Sequence, residues 1–421
     1  MRLRAGLLTL IIVVSVAAAG CARAPAANGR NGQAGLPAAR AQPAAAPASP
    51  GQLRAQFDQL LGLHTLLVVR LMRSVVSAAP DFRQAAAASL QENTDTLTKL
   101  VASAYGGAQG GRFKQLWQAH ITDLFSYANG AASHDQSAQR AARTDLLAYC
   151  NAYGAWFAGA SKGTVRAGDA AAGVRMHVED LMRQLDAYAA RDYDQAYRLE
   201  REAFEHMFTA GATMAKASVT PEVAVGFDTP PERLRSAFAM LLGEHLELII
   251  DAQRATFAGS PQFKAAAAQV NANTTALTQA MAAVAGPQQA ARFQSAWADH
   301  VDGLMAYTSA VAGKDEAGKA AAERKLNAFA STLAAFFAGV VRNQLDVTTL
   351  TGAITMHDRH LIDQVNAYAA RNYDQAQRME LDGYQQMLGV ANTLVDAIQH
   401  TVGPQLPVGG SKTGGGGTAQ R

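Results

Sequence analysis

The stretch "RFKQLWQAHITDLFSY" (112–127) returns later in the chain as "RFQSAWADHVDGLMAY" (292–307), with a histidine on the apolar stripe in the same frame. Spaced by three and four, Phe113, Trp117, His120, Leu124 and Tyr127 share one helix face, as do Phe293, Trp297, His300, Leu304 and Tyr307. The same spacing places His64 and His245 on the stripe of a first helix, and His177 and His357 on that of a fifth. A sixth helix carries His206 in one half and Gln386 in the other, while the second helix carries Asn93 and Asn273. An unpaired polar group in a core costs about 1–3 kcal/mol, so these side chains are expected to converge. Neutral imidazoles from several helices suit copper or zinc rather than hard magnesium or calcium.

The expected ligands are His64, His120, His177 and His206 in the first half and His245, His300 and His357 in the second. Asn93, Asn273, Gln386, Tyr127 and Tyr307 are expected to support them. With Gln386 where the first half has a fourth histidine, the second half should bind metal more weakly or leave a coordination position open. The alternative is a structural or adaptor protein, in which each histidine only satisfies a backbone carbonyl or a tyrosine.

Other chemistry is thin. Met176, Met207 and Met356 adjoin stripe histidines, but neighbours on a helix point about 100° apart, so they read as packing residues. Asp180 and His360 follow His177 and His357 by three and lie toward the stripe edge, where exposure is expected. Glu244 and Glu247 flank His245 where the first half has Leu63 and Leu66, and read as solvated. No Glu-x-x-His lies on a stripe, against a di-iron carboxylate site, and no G-x-S-x-G, Walker A or HExxH motif occurs in a fitting context. The expectation is a binding protein, not an enzyme.

These stripes need helices to carry them. Residues 53–217 pair with 234–397, legible in "ENTDTLT" against "ANTTALT" and "AYAARDYDQAY" against "AYAARNYDQAQ", as an internal duplication produces. Stop signals at Pro80 and Pro261, Gly106-Gly107 and Gly286-Pro287, and Asn129-Gly130 and Gly313 divide each copy. Asp192 and Asn372 read as caps of the last helix. Without an alternating β-branched run, the fold reads as all-α, two tandem antiparallel helical bundles at 51–217 and 232–402 joined by a linker at 218–231.

The ends set the compartment. Residues 1–21, "MRLRAGLLTLIIVVSVAAAGC", have a basic start, a short apolar run and small residues before Cys21, the form of a secretory signal. The ending resembles a bacterial lipobox, with Ala18 where leucine is usual; it implies lipidation of Cys21 and anchoring to a membrane of the bacterial envelope, facing the periplasm or the outside. Residues 22–50 are an Ala/Pro/Gly tether and 403–421 a Gly-rich tail, both expected to be disordered. Of the two cysteines this leaves Cys150 unpaired, in an apolar helical context. A net charge of +3 with no basic block leaves nucleic acid without an electrostatic footprint.

The combination of "GEH", a Trp-x-x-His followed by Tyr, "MH" and "AYAARDYDQAY" resembles a histidine-bearing helical repeat of secreted bacterial proteins, sometimes found described beside copper-amine-oxidase-type N-terminal domains. The resemblance covers both copies and implies no particular activity. A fainter similarity is to imelysin-like lipoproteins, whose GxHxxE motif fails here at Leu67 and Leu248, so their function is not carried over.

Overall fold

Each stripe becomes one long helix in the computed structural model, which describes residues 50–77 and 82–402. The first half consists of α1 (Pro50–Val76), α2 (Arg83–Tyr105), α3 (Gly107–Ala132), α4 (Gln136–Ala160), α5 (Ala167–Ala189) and α6 (Tyr193–Ala217). After a short α7 (Pro221–Ala224), the second half repeats the order: α8 (Pro230–Phe257), α9 (Phe263–Ala285), α10 (Pro287–Gly313), α11 (Glu316–Val340), α12 (Val347–Ala369) and α13 (Tyr373–Val402). Among the described residues there is no strand, so the architecture is all-α, built of antiparallel bundles. The proposed signal, Cys21, residues 22–49 of the tether, Pro80 and the tail lie outside the described residues.

Local chemistry sets the boundaries. Gly106 and Gly286 adopt φ of 96° and 83°, a region costly for other residues, and so break the chain between α2 and α3 and between α9 and α10. The Asp135 carboxylate accepts from the Ser137 and Ala138 amides, and Asp192, Asp315 and Asp346 cap α6, α11 and α12 in the same way. Removing such an acceptor costs about 1 kcal/mol. Asp135→Ala should therefore lower the thermal midpoint; an unchanged midpoint would mean that water replaces the cap without loss. Asn129-Gly130 does not stop a helix as expected, because α3 runs on to Ala132. Gly130 instead permits close approach of α4, where a Cβ would lie 2.9 Å from the Gln139 amide.

The described helices fall within one compact unit, and the two halves share apolar packing. Leu66, Phe204 and Phe208 belong to the core that holds His245, and Ala367 and Ala376 reach into the other. Residues 218–231, expected as a linker, form α7 and a 3-10 turn (Val225–Asp228) whose Phe227 is fully buried. Arg54 donates to the Phe227 carbonyl and to Ser236, pinning this strap between α1 and α8. Gly51–Val76 has the length and hydropathy of a membrane span, yet 67% of its apolar 18-residue window is buried, as a central bundle helix requires.

The expectation that Glu244 and Glu247 are solvated is overturned. Both are buried, and each meets an arginine of the first half: Arg201 bonds both oxygens of Glu244 (2.6 and 3.1 Å), and Arg70 bonds Glu247 (2.9 Å). Their register faces the other bundle, where the first half offers Leu63 and Leu66. A helix pattern reports which side of its own bundle a residue faces, but not what docks on the opposite side.

Candidate metal centre

Three helices of the second bundle each contribute one imidazole: His245 from α8, His300 from α10 and His357 from α12. Their ring centroids form a near-equilateral triangle of 5.6, 5.8 and 5.4 Å. One nitrogen from each lies within 4.8 Å of the other two. A first-row metal bonded at 2.0–2.1 Å needs nitrogens roughly 3.4 Å apart, so modest ring movement closes the set. His245 and His300 are 0% exposed and His357 is 3% exposed, and none of their six ring nitrogens has a hydrogen-bond partner.

Burial also controls their charge. Desolvation lowers the His357 pKa to about 3, and holds His245 and His300 well below the ordinary histidine value, with further repulsion from neighbouring histidines. Neutral imidazoles carry the free lone pair that a metal requires. Apolar rings hold the triangle in place: Phe329 stacks on His300 at 4.4 Å, and Trp297 packs on His245 at 4.7 Å. Asp358 Oδ1 lies 3.2 Å from His300 Nδ1, at ion-pair distance without the alignment of a hydrogen bond. Burial pushes its carboxyl well above the usual carboxylate range. A carboxyl group behind a ligating histidine is a common orienting arrangement.

The first bundle differs. His64 Nε2 and His120 Nε2 are 3.2 Å apart, so one donates to the other, and His177 Nδ1 donates to the Ala203 carbonyl at 3.1 Å. One nitrogen of each ring is thus engaged where its counterpart in the second bundle stays free, while His64 Nδ1, His120 Nδ1 and His177 Nε2 have no partner. His64 and His177 are 6.2 Å apart at their centroids. His206 does not join them: it is 29% exposed and its Nδ1 faces Asp180 at 3.2 Å. The same pair of positions in the second half holds His360 and Gln386, bonded at 3.1 Å. These pairs tie α5 to α6 and α12 to α13 beside the clusters.

The expected supporting residues serve the helices. Asn93 donates to the Leu60 carbonyl, and Asn273 to the Leu241 carbonyl and Glu244. Tyr127 donates to Asp186 (2.8 Å), and Tyr307 accepts from Asn366 (2.9 Å). Met176 and Met356 are 50% and 54% exposed, so neither packs in the core. Sequence reasoning did not single out Asp358, Phe329 or Met387. Met387 lines an apolar cavity together with His300 and His357; its one sequence signal was its pairing with Met207, beside His206. Cys150 is a buried free thiol that donates to the Leu146 carbonyl, with its pKa pushed up to about 11 by burial.

Compared with known protein families, curated proteins and solved structures, the chain matches none.

Proposed function

We propose that this protein is a lipid-anchored component of the bacterial envelope that binds a copper or zinc ion through His245, His300 and His357, for storage, sensing or delivery rather than catalysis. The observation that carries the reading is the set of six unpartnered nitrogens on three buried, mutually adjacent imidazoles. Each such group costs about 1–3 kcal/mol when left unsatisfied, and a metal ion satisfies three at once. An all-nitrogen set without carboxylate ligands favours copper or zinc over calcium or magnesium. The signal form of residues 1–21 supports the envelope assignment.

A second reading has its own support. The His64–His120 and His177–Ala203 bonds each satisfy one nitrogen of a core histidine, which supports a structural or adaptor role for the first bundle. Elemental analysis of the untagged chain beside His300→Ala and His120→Ala variants separates the two. The proposal expects one copper or zinc per chain, lost in His300→Ala and kept in His120→Ala. A metal-free chain whose melting temperature does not rise on titration with either ion would falsify it.

A further inference from the structure

We propose that the ion held by His245, His300 and His357 is cuprous copper with an open fourth position, and that this position takes a small uncharged ligand of two or three heavy atoms from an adjoining apolar cavity. This rests on the metal reading above. The cavity has a volume of about 50 Å³ and is lined by both His300 and His357, with Trp297, Phe329, Leu350 and Met387 among its walls. It reaches half-buried Ile354 and Val390, where α12 meets α13.

Its size and polarity select the ligand. A cavity of about 150 Å³ takes benzene, and about 10–15 Å³ holds one water, so one of about 50 Å³ suits a diatomic or triatomic molecule better than an aromatic ring. No charged side chain lines it. An anion or a hydrogen-bonding ligand would lose its hydration there without replacement, whereas a neutral, weakly solvated molecule loses little. The same walls bear on the metal. In this apolar surrounding a dication on three neutral ligands costs more to desolvate than a monocation, and imidazole is a donor that suits copper.

The first bundle shows that this geometry is particular to the second. Its cavity lies at the corresponding place, with Ala170, Gly173, Val174 and Ala210 where the second half has Leu350, Ala353, Ile354 and Val390. The smaller residues leave about 230 Å³, and the lining includes His206 but neither His120 nor His177. Larger side chains in the second half narrow the space, which there is lined by His300 and His357 of the cluster but not by His245.

Carbon monoxide tests this, because it is small, neutral and binds cuprous copper without a redox step. The full chain would be loaded anaerobically with one equivalent of Cu(I), exposed to carbon monoxide and read by infrared spectroscopy. One C–O stretching band is expected, absent in His300→Ala and kept in His120→Ala. Ala353→Leu, which adds volume at the cavity edge, should retain copper yet weaken carbon monoxide binding about tenfold or more. Failure to bind Cu(I), or retention of zinc alone, overturns the inference; if no metal binds at all, the metal reading falls with it. Copper bound through these histidines without a carbonyl band means that Met387 or another protein group fills the fourth position, which overturns the inference and leaves the metal reading standing. A band unaffected by Ala353→Leu overturns the assignment of the cavity.

Discussion

Arg70→Ala should lower the unfolding free energy by about 3–5 kcal/mol, because it strands buried carboxylates at the contact between the two bundles. The Arg70 side chain, 13% exposed, bonds Glu247 at 2.9 Å and Glu380 as well. Arg70 bonds Glu247 Oε2 and Oε1 has no partner at all, so Glu247 would keep no bonded cation. Glu380 would retain Arg254 (2.7 Å) and Gln377 (3.1 Å). Truncating one member of such a network costs far more than the network contributes over an apolar replacement. Arg70→Met combined with Glu247→Leu should therefore regain most of the loss, since leucine already occupies the paired position at Leu66. Urea unfolding of Arg70→Met, Glu247→Leu and the double variant, followed by circular dichroism, gives the coupling energy. Additive losses would show that the two residues are independent and would sink the prediction.

Acid should reveal the buried histidines individually. Burial lowers the His120 pKa to about 3, against an ordinary value of 6.5. The folded chain therefore excludes a proton that the unfolded chain accepts between those values. The stability owed to this group is fully present above pH 6.5 and is lost as pH falls toward 3. The slope is about 1.4 kcal/mol per pH unit, or roughly 3 kcal/mol by pH 4.5. Asp58 works in the opposite sense: burial pushes its pKa up to about 7, so its folded form takes up a proton first and gains stability on acidification. That contribution is common to the metal-free chain and a His120→Phe variant, so comparing them cancels it. Urea midpoints measured between pH 7 and 4.5 should diverge, with the variant less acid-sensitive. Parallel curves would mean that His120 is solvated in the native state.

Much of this was legible in the chain itself. Within a bundle, spacing by three and four is enough to decide which face of a helix is buried, and so His64, His120, His177, His245, His300 and His357 could be placed inside from sequence alone. Caps and breakers did the same for helix ends: Asp192 bonds the Gln195 amide, and Gly106 and Gly286 turn the chain. Both are local effects, carried by residues a few positions apart, and local effects survive reading in one dimension.

The sequence by itself determined the helical class, the helix order and the inward face of each histidine. Tertiary structure decided which inward histidines meet and what surrounds them. His206 and His177 sit on neighbouring helices at adequate stripe positions, yet His206 turns to Asp180 while His177 bonds the Ala203 carbonyl. Glu244 and Glu247 look solvated on their own helix and become buried only because Arg201 and Arg70 arrive from the other bundle. The cavity beside His300 and His357 is bounded by residues from several separate helices. Periodicity fixes a direction about one helix axis, whereas distances between helices depend on every side chain packed between them, and that information resides in no single stretch of the chain.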